Sequence, residues 1–311
     1  MARKILITGA SGLLGLALTL EARGRGLEVI ALYHSTVIEV PGVQCIRLDL
    51  LDKSAVEDCV RSLHPELIVH AAAEVRVDWC EDHPAEAERI NVGATEDLAR
   101  LASEMGARFL YVSTDSVYDG ENERYRETDA ARPVNIYAAT KFRGEAAAQR
   151  LCPGAIVARV NFYGCSGRHK SNLIGWILGE LKQGKPLPGF MDVIFCPLSV
   201  NDAAQVLLDL LNSNVSGVFN VVGKEAISKY EFARRVAAVF GFDPGLVRAT
   251  SLAERPLRAA RPLNMTLDVS KIEDVLGRTL PDVATGLAEF ADRIRNGYEA
   301  ELEGYFTAAK R

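Results

Sequence analysis

Short apolar runs alternate with helically spaced apolar residues along the first half of the chain. Lys4–Thr8 is an apolar run ending at glycine, the pattern of a buried strand. Leu13–Arg25 carries apolar residues at helical spacing and stops near Gly24 and Gly26, residues suited to a helix end. The same alternation predicts strands at Leu27–Tyr33, Val43–Leu48, Leu67–His70, Arg108–Ser113 and Ala155–Val160. Between them it predicts helices at Asp52–Leu63, at Pro84–Met105 with Gly106 as its stop, and from Tyr137 to about Leu151. Strands alternating with helices in this way predict an α/β fold around a doubly wound parallel sheet. Residues 119–135 are polar with Gly and Pro and read as a loop over the strand ends.

Beyond residue 160 the pattern is less regular. It predicts a loop at Asn161–Ser171, a helix at Asn172–Gln183, a turn at Pro186–Gly189, a helix at Asn201–Leu211 and a strand at Gly217–Val222. Ser228 and Glu231 form a capping box opening a helix to Phe240. A basic, proline-bearing loop follows from Arg255-Pro256 to Arg261-Pro262, then helices at Asp268–Leu276 and Val283–Glu303. The expected organisation is a dinucleotide-binding part over residues 1–160 and a smaller C-terminal α/β substrate-binding part over 161–311. The segment at about 198–222 is expected to return to the first part.

Gly9, Gly12 and Gly15 fall on the junction between the first strand and the first helix, in Thr8–Gly15 (TGASGLLG). Glycine there supplies a tight turn and lets backbone N–H groups approach a pyrophosphate, which sits at the helix N-terminus. This Rossmann-type arrangement assigns Gly9, Ser11, Gly12, Leu13, Leu14 and Gly15 to a dinucleotide. At the end of the second strand, NAD-preferring proteins place an acid on the adenosine ribose. Here stand Tyr33, His34, Ser35 and Thr36, with no acid to repel a 2′-phosphate and no arginine among them to bind one. The reading leans to NADPH over NADH, with His34 and Ser35 at the ribose. Asp49 and Leu50 end the third strand near the adenine, and the small Ala71, Ala72 and Ala73 let a cofactor lie close over the fourth.

Tyr137 and Lys141 are four apart and share a helix face. An ammonium beside a phenol favours the phenolate, so the pair is expected to lower the tyrosine pKa and exchange a proton near neutrality. Thr114 emerges at the carboxyl end of a strand, where open α/β sheets place ligands. Trp79 and Trp176 read as packing residues, and the acidic stretch Tyr298–Tyr305 as a solvated face.

With 311 residues, 48% apolar and 25% charged, the chain resembles ordinary globular proteins. A net charge of −5 without a Lys/Arg block argues against nucleic-acid binding. Six scattered cysteines read as reduced thiols, and five histidines show no metal-ligand spacing, so no metal is expected. No stretch approaches the length of a membrane span. The expected location is cytoplasmic. Self-association as a homodimer stays open.

With these motifs in hand, the chain resembles an extended short-chain dehydrogenase/reductase, and within that group the dTDP-4-dehydrorhamnose reductase family. The resemblance rests on TGASGLLG, on Ser113–Tyr118 (STDSVY), on Glu127-Thr128-Asp129 ahead of Pro133–Tyr137, on YxxxK, and on Arg261–Lys271 (RPLNMTLDVSK). It implies Thr114, Tyr137 and Lys141 as catalytic residues and a nucleotide-linked 4-keto sugar as substrate, the chemistry of dTDP-rhamnose biosynthesis. Ser116, Asn161, Phe162 and Arg261 are then the substrate-side residues, with Arg258 and Arg261 suited to a diphosphate. Two departures bear on the sugar. Arg159–Gly164 (RVNFYG) is one residue shorter than the family's RTxWVYG and lacks its tryptophan, and His70 replaces the usual Asn before AAA.

Two other readings stand beside the reductase. A nucleotide-sugar epimerase uses the same scaffold, whereas a dehydratase needs an Asp-Glu pair after the threonine and here Asp115 is followed by Ser116. The regulatory subunit of methionine adenosyltransferase also resembles this family, which leaves a cofactor-binding protein without turnover as the second class.

Overall fold

The computed structural model describes residues 2–165, 167, 172–254 and 257–306. Its centre is a seven-stranded sheet in the order β11-β6-β5-β4-β1-β2-β3, every neighbouring pair parallel. The elements run β1 (Lys4–Thr8), α1 (Leu13–Gly24), β2 (Glu28–Tyr33), β3 (Gln44–Arg47), α2 (Lys53–Leu63), β4 (Leu67–His70), α3 (Val77–Asp82) and α4 (Pro84–Glu88). They continue with α5 (Ala94–Met105), β5 (Arg108–Thr114), α6 (Ile136–Leu151) and β6 (Ile156–Val160). Parallel strands are covered on both faces, so their residues read as continuous apolar runs. Ile5, Ile7, Leu110 and Val112 point into one core, with α1 above it, while Leu6, Ile68, Phe109 and Tyr111 point into the other.

The remaining elements are β7 (Phe162–Tyr163), α7 (Leu173–Lys182), β8 (Leu187–Phe190), β9 (Ile194–Phe195), β10 (Leu198–Ser199), α8 (Val200–Asn212), β11 (Gly217–Val221) and β12 (Ile227–Ser228). After them come α9 (Lys229–Val239), β13 (Val247–Thr250), β14 (Asn264–Met265), α10 (Ser270–Leu276), α11 (Val283–Arg295) and α12 (Tyr298–Gly304). β11 joins the central sheet beside β6, and α8 packs on α1, where Arg25 donates to Asp209 and to the Gln205 carbonyl. A separate apolar core gathers Tyr163, Ile177, Phe195, Phe232 and Phe290 among the later elements.

Several sequence expectations change. The single helix over Pro84–Met105 is interrupted by a π-helical turn at Arg89–Gly93, where the buried Asn91 side chain turns away to bond the Glu74 backbone and Thr140. Pro186–Gly189 is not a turn: Leu187–Phe190 forms β8 and pairs in parallel with β13. The expected helix Val283–Glu303 breaks at Gly297, whose φ of +86° belongs to the left-handed region that glycine adopts freely. Only half of the capping box forms, because Ser228 accepts from the Glu231 N–H while the Glu231 carboxylate bonds Arg235. Trp176 is 38% exposed rather than packed, and Leu302 on the acidic tail helix is buried against Leu16 and Val40. Parts of two expected loops, at residues 166 and 168–171 and at Arg255-Pro256, lie outside the described residues. Among the described residues no helix is long and apolar enough to cross a membrane.

Candidate active site

The carboxyl edge of the parallel sheet collects the predicted residues. After β1 the chain turns through Gly9, whose φ is +68° and whose missing Cβ would lie 2.8 Å from the Ala72 backbone. A Cβ on Gly15 would lie 2.0 Å from the Gly9 carbonyl oxygen. Both positions therefore exclude a side chain, and α1 begins in direct contact with the turn. No side chain caps α1 at Gly12, so its first N–H groups, at Leu13 and Leu14, are left for an anion. This is a cradle that fits the pyrophosphate of a dinucleotide.

Thr8 ties the cradle to the next strand end. Its Oγ1 accepts from the N–H groups of Ala71 and Ala72 at 3.2 and 3.1 Å, and so donates its own proton to His70 Nδ1 at 2.8 Å. His70 Nε2 then donates to Thr95 Oγ1 at 3.2 Å, and Thr95 donates to the Asn91 carbonyl. Burial, with the Lys141 charge, pushes His70 down to about 3, so this relay holds a neutral imidazole of one tautomer. Between pH 6.5 and about 3 the unfolded chain binds a proton that folded His70 refuses, so stability falls as pH falls through that window. Urea midpoints across the window are expected to fall less steeply in His70→Asn; an unchanged slope removes His70 from acid unfolding.

Beyond β2, where the adenosine was expected, His34 and Ser35 are exposed, and Asp49 approaches His34 at 3.8 Å. Leu50 packs into the core under α2, with only its edge at the surface. Sequence reading missed Arg47. It lies at the end of β3 opposite Tyr33 and donates to the His34 carbonyl at 3.2 Å, so the neighbouring strand supplies the arginine that positions 33–36 lack. The signal was present only in the strand pairing.

At the end of β5, the Thr114 hydroxyl meets the Tyr137 phenol. Asn135 caps α6 by accepting from the Ala138 N–H, which fixes Tyr137 in the first turn of the helix. Lys141, one turn on and buried, donates to the Val112 carbonyl at 2.7 Å and lies 4.1 Å from the centre of the Tyr111 ring. The expected lowering of the tyrosine pKa by Lys141 is not met in this geometry. Burial, Asp115 and Cys80 push Tyr137 up to about 12, whereas burial brings Lys141 down to about 7. The ammonium is turned toward the strand, and Tyr137 is a protonated phenol at neutral pH.

Of the residues expected on the substrate side, Ser116 and Asn161 meet at Asp115. This buried carboxylate accepts from Thr114 at 3.1 Å, from Ser116 at 3.2 Å and from Asn161 Nδ2. Ser116 also lies 3.8 Å from Met265 Sδ. Phe162 is half-buried on β7 and packs against the sheet core. Arg261 departs from its expected role: it spans to α3 and bonds Asp78 at 3.1 Å and the Ala259 carbonyl at 3.0 Å. Arg258 likewise meets Asp82. Both guanidiniums are already paired with carboxylates of α3.

Beneath the site, Arg159 on β6 and Glu145 on α6 form an ion pair at 2.6 Å, their side chains 4% and 2% exposed. Ser113 donates to the same carboxylate, and Arg159 donates to the Tyr118 hydroxyl.

The family model described as RmlD substrate binding domain matches residues 3–296. The chain is 34% identical over 289 residues to a protein named probable low-salt glycan biosynthesis reductase Agl14 from Haloferax volcanii, covering 91% of this chain and 95% of that one. It is 35% identical over 291 residues to methionine adenosyltransferase 2 subunit beta from Xenopus laevis, covering 90% and 84%. Among solved structures, a dTDP-4-dehydrorhamnose reductase from Bacillus anthracis, in complex with NADP, matches with a TM-score of 0.83 and 26% identity over 93% of this chain and 99% of that one.

Proposed function

Because the chain belongs to the RmlD substrate-binding-domain family, we propose that it is an NAD(P)H-dependent reductase of a nucleotide-linked 4-keto sugar. The observation that carries this reading is the contact of Thr114 and Tyr137 at the carboxyl edge of the sheet that also carries the glycine cradle. A bound nicotinamide dinucleotide would supply the hydride. Gly9 to Gly15 would hold its pyrophosphate, Ala71 to Ala73 its flank, and His34, Ser35, Asp49 and Leu50 its adenosine end. Thr114 swings its single hydroxyl proton from Asp115 to the carbonyl oxygen where negative charge develops. Tyr137, protonated at neutral pH, delivers its proton to that oxygen. Lys141, charged below about pH 7, supplies the nearby positive charge and a donor for the nicotinamide ribose. Residues 161–311 form the substrate side, and the stretch around 198–222 belongs with the dinucleotide-binding part.

Arg47 supports NADPH as the working cofactor, since a guanidinium beside His34 and Ser35 suits a 2′-phosphate. Arg47→Ala is expected to weaken NADPH binding about tenfold and leave NADH within about twofold, read by fluorescence titration. An equal loss for both removes Arg47 from the ribose.

The test of the function is NADPH oxidation by the purified protein against a panel of nucleotide-linked 4-keto sugars. Turnover of one, lost in Tyr137→Phe, supports the reductase. The likeness to a methionine adenosyltransferase subunit favours a second reading, a cofactor-binding regulatory subunit. Stoichiometric co-purification of a protein partner, with no turnover across the panel, would select it.

A further inference from the structure

Residues 34–43 link β2 to β3 and open with His34 and Ser35, at the end assigned to the adenosine. Farther along this loop Ile38 and Val40 are buried while Glu39 between them is exposed, the alternation of a half-buried strand. The backbone that Ile38 pairs with lies outside the central sheet. Ile38 forms an antiparallel bridge with Phe306, just beyond α12, and the Glu39 N–H donates to the Tyr305 carbonyl at 2.8 Å.

The Phe306 side chain packs where two small apolar cores meet. One holds Ala10, Ala31 and Ile38, with Tyr33 and Cys45 at its edge. The other holds Leu16, Val40 and Leu302. Ala10 is fully buried in the turn between Gly9 and Ser11, and its N–H donates to the Leu32 carbonyl at 3.0 Å. One ring therefore backs the glycine turn and the 34–43 loop at once. Arg23 on α1 completes the clasp, donating to the Pro41 carbonyl at 3.1 Å while its guanidinium lies 5.9 Å from the centre of the Tyr305 ring. At the other end of α12 the Tyr298 hydroxyl accepts from Asn201 Nδ2 at 2.9 Å, which anchors this strap on α8.

A surface loop that a ligand must order loses conformational entropy on binding. Holding the loop beforehand removes that cost. We propose that Phe306 is a positioning residue for the dinucleotide, fixing the 34–43 loop against the glycine turn so that the pyrophosphate and adenosine sites stand at their working separation. The inference rests on the cofactor part of the reductase reading. It requires no particular sugar and no turnover.

The test titrates NADPH, NADH and ADP into the parent, Phe306→Ala and Phe306→Leu, well below the unfolding transition, and measures urea midpoints separately. Phe306→Ala is expected to weaken the preferred dinucleotide and ADP, which carries the adenosine end alone, by the same factor of about ten. Phe306→Leu keeps an apolar side chain in place and is expected to stay within about threefold of the parent. A ring that serves only the fold lowers the urea midpoint and leaves both Kd values within about twofold, which overturns the inference. A loss for the dinucleotide with ADP unchanged overturns it too, because the adenosine-side loop is then undisturbed. Arg23→Ala, at the surface of the same clasp, is expected to weaken both ligands about fivefold. It decides the question if Phe306→Ala does not unfold cooperatively, unchanged Kd values again counting against the inference. A parent that binds dinucleotide with this dependence yet reduces no keto sugar keeps the inference and loses the reductase. A parent that binds no dinucleotide removes both.

Discussion

Tyr137→Phe is expected to lower kcat by about a hundred- to ten-thousand-fold and to leave NADPH affinity within about twofold. The substitution removes one oxygen from a half-buried ring at the first turn of α6 and leaves the Asn135 cap, the glycine cradle and the strand ends in place. What it removes is the proton. Burial with Asp115 and Cys80 holds the phenol near 12, so essentially every molecule at neutral pH carries the phenolic proton. Thr114 and its bond to Asp115 are untouched in the variant, which separates the threonine's contribution from proton delivery. The expected signature is a fall in kcat without a matching rise in the Kd for NADPH. A variant that keeps parental turnover assigns the proton to another group.

The second large effect concerns the buried pair under the site. Arg159→Met is expected to destabilise the fold by about 3–5 kcal/mol, read as a lowered urea midpoint, because it strands the Glu145 carboxylate in the interior. Tyr118 loses the guanidinium that bonds its hydroxyl and lies over its ring, and Ser113 keeps only the now unpaired carboxylate. Glu145 is also the carboxylate whose charge favours the ammonium of Lys141. Glu145→Gln should therefore move the activity profile of Lys141 to lower pH, since a neutral amide no longer favours the charged form. A loss of under about 1 kcal/mol in Arg159→Met would show that the interior relaxes around the lone carboxylate.

Much of this was legible in the chain because the informative signals are local. Gly9 and Gly15 are glycines for reasons of contact, and a glycine pattern between an apolar run and a helical repeat announces such a turn before any contact is seen. The YxxxK spacing and the Thr114 strand end were legible for the same reason: helical phase and strand direction place both side chains. Arg47 was not, since its position beside His34 depends on β3 pairing with β2, a fact of tertiary structure. The Tyr137–Lys141 electrostatics failed because spacing gives the shared face but not the direction of a long flexible side chain, and here the Val112 carbonyl takes the ammonium.

The RPLNMTLDVSK run, read from the resemblance alone, has a structural explanation. Arg261 reaches Asp78, the Asp268 N–H donates to the Tyr125 carbonyl, and Lys271 donates to the Val218 carbonyl of β11. Glu127, in the motif ahead of α6, accepts from the Asn220 N–H on the same strand. These bonds clasp the later elements to the sheet and to the loop over the site. The motif thus holds the cleft together, and its arginine is spent on a carboxylate of α3.

The most direct test of the central claim follows a label through one turnover. Protein mixed with stoichiometric NADPH, deuterated at the transferable position of the nicotinamide, and a nucleotide-linked 4-keto sugar is quenched and the sugar analysed by mass spectrometry. The account predicts one deuterium at the former carbonyl carbon for each NADPH oxidised, transferred about a hundred- to ten-thousand-fold more slowly in Tyr137→Phe. Bound NADPH that stays reduced beside unlabelled sugar, across the panel of 4-keto nucleotide sugars, would contradict it.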